Sequence, residues 1–163
     1  MEFKMNIFFS PYKRPQDEVK EVEVKGEIDR SLPLLTILWQ TERKMILDTR
    51  SLNESIPRGN KGIKKVKFFP FDYSTLGDLG EIEKKLNEKK LKLVDPFTLT
   101  QVNIQDLFFS DTYPNGTLWK EGDKVYLIIF HAFYTERIVW EGEFCNLPTE
   151  LKGATLWVGA VAK

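Results

Sequence analysis

The sequence predicts a single α+β domain, residues 1–163, built mainly on an antiparallel twisted sheet with one clear helix and one short helix. Most periodic segments alternate apolar and polar residues or form short β-rich runs, which is typical of strands. Helical spacing is confined to two segments, and tight turns join most strands. The 163 residues are 42% hydrophobic and 29% charged, close to the averages for globular chains. A chain of this length buries enough surface for a core of its own.

The N-terminal half favours strands. Apolar residues alternate with charged ones over 22–28, so this strand has one face toward water. Residues 34–39 and 44–47 flank a short polar stretch, which predicts a hairpin. Residues 63–71 set apolar side chains among lysines, and Pro70 predicts a sheet edge or a bend there, because proline has no backbone N–H to donate.

The two helices are predicted over about 76–90 and about 96–103. Thr75 and Asp78 have the spacing of a capping box with a shorter acid, and leucine and isoleucine follow at helical spacing. Asp95 precedes the second segment as an N-cap residue, with proline at the first helical position.

The C-terminal half has the strongest strand pattern. Turn residues at 114–116 and 121–123 separate short segments. The strands predicted here cover residues 117–120, 124–134, 137–145 and 154–162. The second of them is apolar on both faces, so we expect a central strand that is covered on both sides. Ile129, His131 and Phe133 should share a covered face with Ile138 and Trp140.

A cysteine and a histidine together can form a nucleophilic dyad, and the chain has one of each. If residues 135–136 form the hairpin loop, His131 faces Trp140 and Cys145 faces Tyr126. The two groups then lie on opposite faces and roughly 17 Å apart. The register therefore predicts a histidine of the core and a thiol without a catalytic role.

Glu141 and Glu143 lie two residues apart on a predicted strand, so both project from one face at about 7 Å from each other. A glycosidase or a metal site could use such a pair. No further ligand residues are near in sequence, so we interpret the pair as a solvated strand face. A small hydrolase that uses these two carboxylates is the third hypothesis for function.

Motifs specific for a reaction are absent from the sequence. It contains no P-loop, no dinucleotide fingerprint, no paired-cysteine zinc pattern and no nucleophile elbow. Two glycines in residues 76–80 start a helix, but the aspartate between them would repel a phosphate. The sequence therefore indicates no catalytic residue, no cofactor and no metal site, and it favours a protein that is not an enzyme.

One basic stretch stands out because lysine and arginine balance aspartate and glutamate over the whole chain, at 24 each. Residues 58–92 carry ten basic and five acidic residues, a net charge of +5. Lysines that follow phosphates beside aromatic rings are typical of single-strand nucleic-acid binding. The candidate residues are Arg58, Lys61, Lys64, Lys65, Lys67 and Phe68. The alternative is a lysine-lined edge strand with its phenylalanines in the core.

Tryptophans can form core or an interaction surface. All four follow an aliphatic residue, which favours the core. Trp119 is the candidate for an interaction surface because it lies on a short strand between two turns.

The leading hypothesis is a non-catalytic binding or protein-interaction domain, with another protein as its partner. Nucleic-acid binding through residues 58–71 is the alternative, and it gains support if Arg43 or Lys44 extends the basic surface. One cysteine and no apolar run of 18 residues favour a soluble, cytoplasmic protein without a membrane partner.

Overall fold

The computed structural model describes residues 18–47 and 56–163. These residues form an α+β fold with eight strands in one mixed sheet and four α-helices. The strands are β1 Lys20–Glu23, β2 Lys44–Leu47, β3 Lys65–Asp72, β4 Leu91–Leu93, β5 Asn115–Glu121, β6 Lys124–Phe133, β7 Glu136–Glu143 and β8 Thr155–Ala162. The helices are α1 Leu34–Leu38, α2 Leu79–Asn87, α3 Pro96–Gln105 and α4 Phe109–Thr112. No helix in the described part of the chain has the length and apolarity to span a membrane.

The sheet has the strand order β1-β3-β8-β5-β6-β7-β2, and β4 pairs with β8 outside this order. Five pairings are antiparallel, whereas β2 with β7 and β5 with β8 are parallel. The α+β prediction is confirmed, but the sheet is mixed rather than purely antiparallel.

The hairpin predicted over residues 34–47 is wrong. The first apolar run is helical in α1, with Leu34, Ile37 and Leu38 buried at helical spacing. Pro33 precedes the helix in an extended conformation, which is typical of the N-cap position. Short apolar runs do not distinguish a buried strand from a helical turn. β2 instead lies parallel to β7 at the far end of the sheet.

The clear helix and the short helix that the sequence predicts are both present, with shorter or shifted ends. The cap of α2 is Asp78, whose carboxylate accepts from the Glu81 amide at 3.1 Å, so the helix starts after Gly77 and contains Gly80 in its first turn. Asp95 caps α3, as predicted, by accepting from the Thr98 amide at 2.9 Å. Pro96 is the first residue of α3. A backbone N–H at this position would have no acceptor within the helix, so the absence of an N–H in proline costs no hydrogen bond.

The sheet is covered on both faces. One face packs against α1, α3 and α4 through Phe68, Phe97, Phe109 and Phe130, among others. The other face packs against α2 and the segment that follows β7. The central strand β6 therefore has buried residues on both sides, as its sequence predicts. Its residues Leu127 to Phe130 have no exposed surface.

The hairpin of β6 and β7 turns one residue earlier than predicted. Phe133 pairs with Glu136, so Tyr134 and Thr135 form the loop, and His131 faces Ile138 rather than Trp140. Tyr134 has a positive φ of 56°. Two-residue hairpin loops require positive φ, which glycine and asparagine adopt most readily. A tyrosine at this position therefore gives no sequence signal for the turn. Phe133 points to the same face as Ile129 and His131, but it is the last residue of the strand and is 37% exposed, so that face is not covered there.

Residues 114–116 do not form the predicted turn, because Asn115 and Gly116 begin β5. The Asn115 side chain is buried and exchanges two hydrogen bonds with the amide of Asn103, at 2.8 and 3.1 Å. A Cβ at Gly116 would lie 2.6 Å from the Ile128 carbonyl oxygen. These residues serve close strand packing instead of chain reversal. Pro70 lies in β3 beyond the last residue that pairs with the described part of β1, as a sheet edge requires.

Candidate binding cleft

The four lysines of the basic stretch line one cleft of about 430 Å³ at the end of the sheet where β4 and β8 meet. Its floor consists of small and aliphatic residues from β4, β8 and the loop before β3. The lining residues are Lys61, Gly62, Ile63, Lys64, Lys65, Lys67, Leu91, Ala160, Val161 and Ala162. We call this the lysine cleft. Its lining contains no carboxylate, so a negatively charged ligand meets an apolar floor lined by lysines, of which Lys65 is also 3.4 Å from the Glu21 carboxylate.

The loop that carries Lys61 and Lys64 is held by backbone contacts. The Lys64 carbonyl oxygen accepts from the Val24 amide at 2.8 Å. Gly62 has a φ of +83°, which residues with a side chain rarely adopt. Lys65 is the first residue of β3, and its ammonium lies 3.4 Å from the Glu21 carboxylate on β1. The backbone thus fixes the rim of the cleft, while Lys61 and Lys64 are exposed.

Arg58, the fifth predicted cation, faces the protein instead. Its guanidinium donates to the carbonyl oxygens of Arg30 and Leu32, at 2.5 and 3.2 Å. It also lies over the Phe97 ring, with 5.2 Å between the guanidinium carbon and the ring centroid. Arg58 therefore holds the loop to α3 and does not line the lysine cleft.

Phe68 has no exposed surface and packs against Phe109 with ring centroids 5.2 Å apart. Phe69 is on the opposite face of the sheet and is also buried. Neither ring is accessible for stacking on a nucleic-acid base. Both phenylalanines therefore lie in the core, as the alternative interpretation of the basic stretch predicts.

Arg43 and Lys44 do not extend the basic surface. Four strands separate β3, which carries Lys65 and Lys67, from β2, which begins at Lys44. At about 4.8 Å per strand, the two strands are roughly 24 Å apart. The lysine cleft is a local feature of one end of the sheet.

Trp119 is 5% exposed and belongs to the core, where its ring stacks on Tyr126. Trp39 is the exposed tryptophan, at 68%, and Leu35 is exposed four residues earlier. Residues four apart lie on one face of a helix. The sequence pattern predicts a strand for this segment, so it does not identify Leu35 and Trp39 as residues of one exposed helical face.

Glu141 is fully buried rather than solvated, so the interpretation of a solvated strand face is wrong for it. It pairs across the sheet with Ile128 and lies beside Leu47 of β2. Glu143 is at the rim, 3.9 Å from the Lys124 ammonium. The two carboxylates occupy different environments, and only Glu143 has contact with solvent.

His131 and Cys145 are far apart. His131 is 4% exposed and pairs with Ile138, whereas β7 continues from there to Glu143, about 17 Å along the strand. Cys145 is exposed beyond that end. A hydrogen bond to the Glu143 carboxylate raises the pKa of the Cys145 thiol, and partial desolvation adds to this effect. An activated thiolate requires the opposite shift.

Arg43 is a buried cation, whereas sequence reasoning considered it only as an extension of the basic surface. It is 7% exposed and donates from Nη2 to the Leu107 carbonyl oxygen at 3.1 Å, while Nε and Nη1 have no hydrogen-bond partner. Burial lowers the pKa of Arg43 to about 10, and the charge of Arg137 acts in the same direction. Burial also lowers the pKa of His131 to about 4, with a smaller contribution from Arg43. Both shifts disfavour positive charge in this part of the core.

The described residues contain no group of three or more histidine, cysteine, aspartate or glutamate side chains arranged to hold a metal ion. A scan against protein-family models and searches of curated proteins and of solved structures found no match.

Proposed function

We propose that this protein is a non-catalytic interaction domain that binds an acidic segment of another protein in the lysine cleft. One observation carries the proposal: four lysines surround an apolar floor and no carboxylate is in the lining. Acidic side chains of a partner meet the lysines at the rim. An apolar side chain between them covers the floor.

The floor favours a peptide over a nucleic acid. The accessible apolar side chains of the floor are Ile63, which is half-buried, and Ala162, which is exposed, whereas Leu91, Ala160 and Val161 are at most 8% exposed. Apolar surface of this kind gains free energy when an aliphatic group covers it. Nucleic acids gain affinity from base stacking on aromatic rings, and the phenylalanines nearest the lysines are buried. An acidic peptide with aliphatic side chains uses both the rim and the floor.

Fluorescence anisotropy with a labelled peptide of about ten residues, in which glutamate alternates with valine, tests the proposal at about 50 mM salt, where screening is weak. The variant Lys61→Ala/Lys64→Ala removes two exposed cations from the loop. Each exposed charge pair contributes about 0.2–1 kcal/mol, so we expect affinity to fall by up to about thirty-fold.

The matched control is Lys44→Ala/Lys152→Ala, which removes two exposed cations from other regions of the described surface and should leave affinity unchanged. A peptide in which lysine replaces glutamate should not bind. Equal binding of both peptides, or equal loss in both double variants, would overturn the proposal.

Nucleic acid is the second candidate because the four lysines line one cleft. Its test is the salt dependence of binding to single-stranded DNA. Four phosphate contacts predict a slope of log affinity against log salt of up to about −2.8. Tighter binding of DNA than of the acidic peptide, with that slope and its reduction in Lys61→Ala/Lys64→Ala, would favour nucleic acid over a protein partner.

A further inference from the structure

The sheet forks next to the lysine cleft. β5 pairs with β8 only at Asn115 and Gly116, whereas β4 pairs with the following part of the same edge of β8, from Ala160 to Ala162. The Thr117 hydroxyl donates to the Val94 carbonyl oxygen at 2.5 Å and closes the apex of the fork. From that point β4 and β5 are not paired with each other.

Two strand edges face each other across the fork. Within the described residues, the part of β5 after Gly116 has β6 as its one strand partner, and β4 has β8. β5 is parallel and β4 antiparallel to β8, so β4 and β5 run in opposite directions. Backbone N–H and C=O groups at an unpaired edge are a template for an added strand. An inserted strand would be parallel to one neighbour and antiparallel to the other.

The space between the arms is a cleft of about 670 Å³, which we call the fork cleft. This volume is within the range of ligand sites. Leu93 of β4 and the next residue, Val94, line it on one side, and Leu118 and Trp119 of β5 line it on the other. The indole Nε1 of Trp119 is buried and has no hydrogen-bond partner. A buried donor without a partner is costly, so this end of β5 carries an unsatisfied polar group beside the cleft.

The fork cleft is continuous with the lysine cleft and has the same charge preference. Both clefts share Ile63, Val161 and Ala162. The cations in the lining of the fork cleft are Lys92, Lys120 and Lys163, and the acids are Glu83 and Asp95. The Asp95 carboxylate is already paired with Arg30 at 2.8 Å, so cations dominate the remaining surface.

We propose that the acidic partner segment enters the fork as an extended strand, forms backbone hydrogen bonds with the edges of β5 and β4, and continues across the lysine cleft. This inference rests on the proposed function, because it assigns the conformation in which the same partner binds. Alternating side chains of a strand point to opposite faces. Leu118 and Lys120 lie on one face of β5 and Trp119 on the other, so aliphatic side chains of the segment find apolar contacts on both faces and its acidic side chains meet the lysines at the rim.

The experiment compares two peptides on the full-length protein. The first is the alternating glutamate and valine peptide, and the second has the same sequence with every second backbone amide N-methylated. Methylation keeps charge and side chains but removes backbone donors. Loss of two or three backbone hydrogen bonds should weaken binding by about tenfold or more. The charge variant Lys120→Glu, with Lys152→Glu as control, should weaken binding of the unmodified peptide.

Amide hydrogen exchange locates the peptide. At a free peptide concentration 100 times the dissociation constant, about one protein molecule in 100 is unbound. Amides in residues 118–121 that exchange only in the unbound protein should therefore exchange up to about 100-fold more slowly. Unchanged exchange there, together with equal affinity of the methylated peptide, would overturn strand insertion. If Lys61→Ala/Lys64→Ala still weakens binding in that case, the proposed function stands without it. Absence of binding by both peptides would overturn both proposals.

Discussion

Arg30 and Asp95, which are 65 positions apart in the sequence, form an ion pair at 2.8 Å that joins the segment after β1 to the N-terminus of α3. The other guanidinium nitrogen of Arg30 donates to the Thr98 hydroxyl at 2.8 Å. The Asp95 side chain is 5% exposed. One carboxylate thus caps a helix and neutralises an arginine that also donates to the Arg58 carbonyl oxygen at 2.5 Å.

Removal of Arg30 should destabilise the protein strongly. Arg30→Met leaves the buried Asp95 carboxylate without its cation, and breaking such a pair costs about 3–5 kcal/mol. Urea denaturation followed by circular dichroism measures the change. Asp95→Asn should cost less, because asparagine still caps the helix. A change under about 1 kcal/mol for Arg30→Met would show that the pair adds little to stability.

Ile129 tests the central position of β6. Its side chain has no exposed surface, and it pairs with Trp140. Ile129→Ala should lower the free energy of unfolding by about 2–5 kcal/mol, through lost burial and a cavity. Phe133→Ala on the same strand is the control, since Phe133 is 37% exposed and should cost less. Equal costs would contradict the strand's placement.

His131 should make stability depend on pH. Its pKa is lowered to about 4 in the folded protein by burial, from an ordinary value of 6.5. Between these two pKa values the unfolded chain binds more protons than the folded protein. The free energy of unfolding therefore increases as the pH rises through this window and decreases as the pH falls. The difference of about 2.5 units corresponds to roughly 3 kcal/mol.

The measurement compares urea denaturation at pH 4 and pH 7 in the native protein and in His131→Gln. The variant should lose less stability at pH 4, because glutamine does not titrate, whereas all carboxylates are common to both proteins. Arg43→Met should raise the pKa of His131, since the Arg43 charge lowers it. Identical pH profiles for the native protein and His131→Gln would contradict the buried, neutral histidine.

Cys145 should react slowly with iodoacetamide despite its exposure. The thiolate is the reactive form, and the hydrogen bond to Glu143 raises the pKa of the thiol. The alkylation rate plotted against pH should have its midpoint above about 8.5, the ordinary cysteine value. Glu143→Gln should shift the midpoint downward. A midpoint near neutral pH would instead indicate an activated thiol and would support a catalytic role for Cys145.

The lysine cleft illustrates how far sequence reasoning reaches for a site. Lys61, Lys64, Lys65 and Lys67 could be selected because local sequence determines which cations are neighbours along the chain. Their apolar floor could not, since Leu91 and residues 160–162 come from distant segments that meet only in the sheet. The same limit applies to Arg58, whose acceptors are carbonyl oxygens 26 and 28 positions away.

The sequence by itself determined the α+β class, the buried strand β6, helices α2 and α3 and the cap at Asp95, because periodicity and capping are local properties. Tertiary structure alone decided the helical state of α1, the parallel pairing of β2 and the fork between β4 and β5. Each depends on which distant segment supplies the partner. Apolar runs such as residues 34–39 bury equally well as helix or strand, so the neighbouring layers select between them.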